Sequence, residues 1–191
     1  MDPFSYICIM TSIVLGLAVS RLVSGMAQLL QKRRKTPAYW LHSIWMVNTL
    51  IGVVIAWWVQ YRWRHNEHWS LWLCLWLLVA PITYSFASAL LFPNEQEGEP
   101  ITNWRQHYYS TNRSFFLLIA ATFAIDVVDT LLKGLPYFRS LGLLYAFSMV
   151  MLGTTCTVAA FTKSPRYHAP FSIFFLLWML SMIGNNLLRL I

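Results

Sequence analysis

The segment that decides the fold is residues 69–92, WSLWLCLWLLVAPITYSFASALLF, which contains no charged side chain. An α-helix needs about 20 apolar residues to cross the hydrocarbon core of a bilayer, so this stretch is long enough to span it. Its single proline, Pro81, is tolerated in a membrane helix because neighbouring groups can satisfy the freed backbone carbonyl. The segment therefore predicts a transmembrane helix.

Five further apolar stretches of similar length flank this segment, and the short loops between them collect nearly all of the charge. Hydrophobic residues make up 58% of the 191 residues and charged residues only 11%. A typical soluble domain has about 25% charged residues. We expect an all-α polytopic membrane bundle, forming a single transmembrane domain over residues 1–191. Its six predicted helices cover residues 4–30, 38–61, 69–92, 114–132, 137–161 and 169–190.

The first and fourth stretches show a faint internal likeness. Residues 12–25 can be laid over residues 121–134, and a proline then opens the stretch that follows in each half. Three spans per half would give the two halves opposite orientations, which is the plan of many transporters. The pattern indicates a possible inverted 3+3 repeat, with halves 1–93 and 112–191 joined by a cytoplasmic loop, 94–111.

Lysine and arginine are unevenly distributed between the loops, and this predicts the orientation of the protein. With the N-terminus outside, eight basic residues lie on the inner side and five on the outer side. Cytoplasmic loops carry the excess of basic residues, so we expect both termini outside. A basic run directly after the first stretch indicates an anchor to anionic lipid: Lys32, Arg33, Arg34 and Lys35. The net charge of +7 is thus a membrane feature, and no nucleic-acid partner is predicted.

Three charged residues remain inside the predicted spans and are the main candidates for a functional centre: Arg21, Asp126 and Asp129. A charge at the bilayer centre costs at least about 2.5–3.5 kcal/mol on insertion scales, so each is expected to find a partner. Counting along the helices from the inner surface puts Arg21 and Asp126 within about one 5.4 Å turn in depth, and we expect them to form an ion pair. Asp129 could pair with Lys133 or with Arg189.

Uncharged polar side chains at membrane depth are further candidates for binding an ion, a proton or a ligand: Asn48, Asn185 and Asn186. Small residues recur at every fourth position of the first span: Ser12, Gly16, Ser20 and Ser24. This spacing permits close helix contact. Because one small bundle encloses little volume, we also expect a homo-oligomer.

Aromatic and histidine side chains cluster near the predicted loops. Six of the ten tryptophans surround the loop between the second and third spans: Trp57, Trp58, Trp63, Trp69, Trp72 and Trp76. This clustering is typical of an interfacial aromatic belt. Three histidines are expected near the inner face: His42, His107 and His168. Three histidines near one level could bind a metal or haem, but their spacing matches no ligand motif, and no metal site is predicted.

The sequence contains none of the short catalytic motifs of metalloproteases, α/β-hydrolases or phosphate-binding enzymes. It therefore favours a protein that is not an enzyme, and no catalytic residue is predicted. The leading function is a small-solute or ion transporter or channel with an intramembrane Arg/Asp polar centre. The first alternative is a non-transporting membrane partner, such as a sensor or effector subunit. The second is a redox protein that binds haem or quinone between helices.

Four short stretches carry a likeness to known sequences: residues 12–22 (SIVLGLAVSRL), 39–45 (YWLHSIW), 91–93 (LFP) and 126–134 (DVVDTLLKG). In these stretches the chain resembles a family of small bacterial six-span inner-membrane proteins to which no function has been assigned. The resemblance covers most of the chain and implies a location in the bacterial cytoplasmic membrane. It implies no activity, ligand or catalytic residue.

Overall fold

The computed structural model describes residues 2–32, 37–92 and 103–188 of the chain. Within these residues the backbone forms seven α-helices and one 3-10 turn, Tyr61–Trp63, and no strand. The helices are α1 (Pro3–Lys32), α2 (Trp40–Gln60), α3 (Leu71–Leu91), α4 (Trp104–Leu132), α5 (Leu135–Ser140), α6 (Gly142–Phe161) and α7 (Pro165–Leu188).

All of these helices except the short α5 are long and apolar enough to cross a membrane. The prediction of an all-α bundle with six transmembrane helices is confirmed. The chain is a multi-pass membrane protein.

The start of α4 differs most from the sequence-based boundaries. The helix begins at Trp104, whereas the hydrophobic pattern placed its start at residue 114. Asn103 caps the helix, because its side-chain oxygen accepts hydrogen bonds from the backbone N–H groups of Arg105 (3.0 Å) and Gln106 (3.2 Å). These are two of the four N–H groups that a helix start leaves free. Hydropathy does not register this polar first part of the helix.

The predicted fifth span, 137–161, is divided into α5 and α6. Gly134 (φ 108°) and Gly142 (φ 77°) adopt positive φ angles that other residues rarely adopt, and each lies at the start of one of these helices. Pro136 lies in the first turn of α5, where its missing N–H costs no hydrogen bond. The chain thus reverses through a short helix before α6 begins.

The core contains a fully buried tryptophan, Trp45 of α2. Its ring meets Phe116 of α4 edge-on, with centroids 4.7 Å apart, and Phe175 of α7 at 4.9 Å. Its indole N–H donates to the hydroxyl of Ser172 on α7 (2.7 Å), so the buried donor is satisfied. Trp45 of α2 therefore contacts both α4 and α7.

The helix pairing is not the same in the two halves of the chain. In the first half α1 packs closely on α3, whereas in the second half α4 packs closely on α6. α3 and α4 connect the halves, as do α2 and α7. The inverted repeat stays a prediction.

The small-residue positions of α1 lie on the outer surface of the bundle. Ser12, Gly16, Ser20 and Ser24 are all exposed. α1 instead faces the core with larger apolar residues such as Leu15 and Leu22. Ser12 nevertheless accepts a hydrogen bond from the indole N–H of Trp57 on α2 (3.1 Å), and close helix contact at the other three positions stays a prediction. The glycine that does permit a close approach is Gly25, because a Cβ there would lie 2.3 Å from the Phe92 ring.

Polar side chains gather at the two opposite ends of the bundle. At one end, Trp63 after α2 reaches Asp129 in the last turn of α4. At the other end, His42 near the start of α2 bonds to the carbonyl of Leu91, the last residue of α3. The first end contains Asp126 and Asp129, and the second contains the histidines that were considered for haem.

Candidate functional site

Charged and aromatic side chains from three elements meet at the first of these ends, in a group that we name the aspartate cluster: Asp126, Asp129, Lys133, Trp63 and Tyr145. The two aspartates lie on the last two turns of α4, and Lys133 is the C-cap residue of that helix. Spacings of three and four residues bring the three charged side chains to one face. Trp63 comes from the 3-10 turn, and Tyr145 from the first turn of α6.

Asp129 is the buried carboxylate of the cluster, with 9% exposure. Its Oδ1 accepts a hydrogen bond from the indole N–H of Trp63 (2.9 Å). Its Oδ2 forms an ion pair with the ammonium of Lys133. Both oxygens therefore have a donor, which offsets the cost of removing the carboxylate from water. Of the two partners considered for Asp129, Lys133 is the observed one, and Arg189 lies outside the described residues.

Lys133 is enclosed by aromatic rings as well as by the carboxylate. Its side chain is 7% exposed, and its Nζ lies 4.6 Å from the centroid of the Trp63 ring and 5.8 Å from that of Tyr137. Both distances allow a cation–π interaction. Burial lowers the pKa of the Lys133 ammonium, and the charge of Asp129 opposes part of that shift.

Asp126 has a different environment. The phenol of Tyr145 donates a hydrogen bond to its Oδ2 (2.6 Å). Because that phenol has a single proton, the hydroxyl of Thr130, 2.9 Å away, donates to Tyr145 in turn. Lys133 and Arg62 lie within electrostatic range, but among the described residues no cation is within ion-pair distance of Asp126. A neutral chain of hydroxyl groups, not a salt bridge, holds this carboxylate.

The predicted ion pair between Arg21 and Asp126 is wrong. α1 packs on α3 and α2, whereas α4 packs on α6 and α3. Because α4 begins at Trp104, Asp126 lies about 33 Å along the helix from that end, at about 1.5 Å per residue. Ile7 of α1 packs at the level of Trp63, and Arg21 lies about 21 Å further along α1. Arg21 is half-exposed and pairs with no carboxylate of the described residues.

Asn48, the asparagine candidate whose side chain the structure describes, is not part of the aspartate cluster. Asn48 is buried on α2, about 22 Å along the chain from Trp63 at the helical rise. Its amide nitrogen donates to the carbonyl of Ser172 (3.4 Å), and its side-chain oxygen has no hydrogen-bond partner. The side chains of Asn185, Asn186 and Lys32 lie outside the described residues, as do Arg33, Arg34 and Lys35 entirely.

The three histidines that were considered for haem lie at the opposite end of the bundle, where they bind the carbonyl groups at helix ends. His42 and His107 donate to the carbonyls of Leu91 (3.2 Å) and Leu90 (3.0 Å) at the end of α3. His168 donates to the carbonyl of Thr162 (2.8 Å) just after α6. Hydrogen bonds to the last carbonyls of a helix satisfy acceptors that have no partner within it. In the described part of the chain no three His, Cys, Asp or Glu side chains are placed to hold a metal ion.

Two members of the aspartate cluster were not identified as site residues from the sequence. Trp63 was assigned to an aromatic belt with its neighbours, but it is 5% exposed, whereas Trp72 is 81% exposed. Tyr145 carries no sequence signal beyond its position in an apolar helix. Trp63 is distinguished from the other tryptophans of this loop by its position: it follows Arg62 and lies three residues beyond the end of α2.

Comparisons with known proteins give this site no precedent. No protein-family model matches the chain, and neither a curated protein nor a solved structure matches it significantly. The function has to be argued from the arrangement of the residues themselves.

Proposed function

We propose that this protein moves a small cation or protons across the membrane, and that Asp126 is the carboxylate that binds them in transit. The observation that carries the proposal is the contrast between the two aspartates. Asp129 has a lysine as its counter-ion, whereas among the described residues the side chain of Asp126 is held by the Tyr145 phenol alone. A carboxylate in a membrane helix without a fixed counter-ion is suited to bind a proton or a cation.

The surroundings of Asp126 support reversible binding. The Tyr145 hydroxyl orients one carboxylate oxygen, and Thr130 orients that hydroxyl. Lys133 and Arg62 keep the local potential from becoming strongly negative, so a bound cation can also leave. Asp126 is half-buried, and we propose that an ion reaches it from this end of the bundle.

Flux through the purified protein in liposomes tests the proposal. An internal pH-sensitive dye reports proton movement after a gradient of Na⁺, K⁺ or an organic ammonium salt is imposed. Asp126→Asn is expected to reduce flux at least about tenfold, since it removes the charge of the site. Asp2→Asn is the matched control, because Asp2 is an exposed carboxylate whose capping bond to Ser5 an asparagine can also make. Unchanged flux and unchanged pH dependence in Asp126→Asn would contradict the proposal.

A second candidate function, a membrane partner that assembles with copies of itself, is favoured by the outer face of α1. An apolar groove of about 580 Å³ runs between α1 and α2 and includes Ser12 and Trp57. Gly16 continues the same face, and nothing lies within 4 Å of the position of its missing Cβ. Exposed small residues permit close contact with another helix.

Cysteine cross-linking tests the homo-oligomer. In a variant without the three native cysteines, Gly16→Cys is expected to form disulfide-linked dimers in membranes. Val150→Cys, at an exposed position of α6, is the control and should remain monomeric. Equal cross-linking of both variants would indicate random collision.

The orientation with both termini outside and the bacterial inner membrane remain proposals that rest on the basic loops and on the sequence resemblance. Single cysteines at Glu67 and Ser164, both exposed, lie in loops on opposite ends of the bundle. A membrane-impermeant maleimide added to intact cells is expected to label Glu67→Cys. It should label Ser164→Cys only after permeabilisation, and the reverse pattern would overturn the orientation.

A further inference from the structure

The ammonium of Lys133 is surrounded by one carboxylate and two aromatic rings, the groups that typically bind ammonium ions. The Asp129 carboxylate binds its Nζ, and the rings of Trp63 and Tyr137 lie over it at 4.6 Å and 5.8 Å. The indole N–H of Trp63 fixes the second carboxylate oxygen, so the carboxylate and one ring are held as a unit. Only the side chain of Lys133 tethers the bound ammonium to the protein.

We infer that Asp129, Trp63 and Tyr137 form a binding site for a primary organic ammonium ion, which replaces the tethered ammonium of Lys133. The exchange releases one proton from Lys133 for each cation bound. This inference rests on the proposed function and names the substrate class of the same aspartate cluster. It makes the protein an exchanger of protons for organic amines.

The chemistry of the walls selects this class of cation. Mg²⁺ and Ca²⁺ require several oxygen ligands, and the pocket offers one carboxylate flanked by ring faces. Ring faces attract organic ammonium ions, as the Trp63 ring does the ammonium of Lys133 here. A primary ammonium also has N–H groups for the Asp129 oxygen, which a quaternary ammonium lacks.

The exchange conserves charge at the site. Lys133 gives its proton to water and becomes a neutral amine, while the incoming ammonium restores one positive charge beside Asp129. The groups that face Lys133 are Asp129 and Asp126 of α4, Arg62 of the 3-10 turn and the Tyr137 ring of α5. Burial lowers the pKa of Lys133, which brings its deprotonation closer to physiological pH.

Calorimetric titration of the purified protein with n-butylammonium tests the inference. Lys133→Ala removes the tethered cation and leaves room for the ligand, so this variant is expected to bind butylammonium at least about tenfold more tightly than the wild type near pH 7. Replacing Asp129 by Asn in the same variant should abolish the binding. Sodium at equal ionic strength is the control for general salt effects. Equal affinity for butylammonium in Lys133→Ala with and without Asp129 would overturn the inference.

The wild-type protein provides a measurement that does not depend on folding of a variant. Butylammonium added in weak buffer is expected to release about one proton per ion bound, and its apparent affinity should rise with pH up to about tenfold per unit. Binding without proton release, or no binding at all, would overturn the exchange. If these experiments fail while Asp126→Asn still abolishes flux, the proposed transport stands and only the ammonium site is wrong. If ammonium binds but Asp126→Asn leaves flux unchanged, the proposed transport is wrong.

Discussion

Trp63 and Asp129 are joined by a hydrogen bond of 2.9 Å between the indole N–H and a carboxylate oxygen. The bond ties the 3-10 turn after α2 to the last turn of α4. Both residues are buried, and the ring of Trp63 also lies against the Lys133 ammonium. One side chain therefore sets the position of both charges of the ion pair.

Trp63→Phe is expected to lower the free energy of unfolding by about 1–3 kcal/mol, since it leaves a buried carboxylate oxygen without its donor. Phenylalanine keeps the six-membered ring but lacks the pyrrole ring, so the loss combines the missing hydrogen bond with reduced packing. Reversible unfolding in mixed detergent micelles measures it. Trp72→Phe is the matched control, because Trp72 is 81% exposed and should change stability little. Equal effects of the two substitutions would show that the hydrogen bond contributes nothing.

Gly25 and Gly16 lie on the same helix in opposite environments. A Cβ at Gly25 would meet the Phe92 ring at 2.3 Å, so Gly25→Ala should destabilise the protein by about 1–3 kcal/mol. At Gly16 nothing lies within 4 Å, and Gly16→Ala should raise stability by up to about 1 kcal/mol through helix propensity. The measurement is the thermal unfolding temperature in detergent, which should fall for Gly25→Ala and rise for Gly16→Ala relative to the wild type. A stable Gly25→Ala protein would mean that Phe92 moves away at no cost.

Much of the fold could be predicted because span length and apolarity are properties of local sequence. Six stretches of the required length became six helices long and apolar enough to span a membrane. The ends were less predictable, since helices continue beyond the bilayer where hydropathy falls. The start of α4 at Trp104 depends on the Asn103 cap, a local hydrogen bond that an average over many residues cannot detect.

The same boundary error explains the wrong ion pair. Depth in the membrane was counted from Arg113 as if it lay at the surface, but α4 begins at Trp104. Asp126 is therefore displaced towards the far end of the bundle, away from Arg21. Lys133 was one of the two partners left open for Asp129, and it is the observed one, because a spacing of four residues on one helix brings the two side chains to the same face. Contacts between helices, such as Trp63 with Asp129, require the packing and could not be predicted.

The side chain of Asn112 binds the C-terminal end of α6, whereas that of Asn103 binds the N-terminal end of α4. The same substitution, Asn→Asp, should therefore have different effects at the two positions. The amide nitrogen of Asn112 donates to the carbonyls of Ala159 (2.8 Å) and Ala160 (3.1 Å) at the end of α6. Asn112→Asp replaces this donor with a negative charge next to the negative end of a helix dipole, at an expected cost of about 2 kcal/mol or more.

Asn103→Asp is the matched control, since it retains the acceptor at the positive start of α4. Its stability should remain within about 0.5 kcal/mol of the wild type, or rise. Unfolding of both variants near neutral pH provides the comparison. Similar losses would contradict the assignment of the two caps.

The ammonium of Lys133 should make stability depend on pH in the alkaline range. Its pKa is lower in the folded protein than the ordinary value of 10.5, so between these two values the unfolded chain binds more protons than the folded one. The contribution of Lys133 to the free energy of unfolding therefore rises with pH between the two pKa values and does not depend on pH below them.

The measurement is the difference in thermal unfolding midpoint between the wild type and Lys133→Met at several pH values, where it is expected to increase with pH. Methionine keeps an apolar side chain and removes the titrating group. Lys163→Met, at an exposed position, is the control for the loss of a lysine. A difference for Lys133→Met that falls as pH rises would show that attraction to Asp129 outweighs the cost of burying the charge.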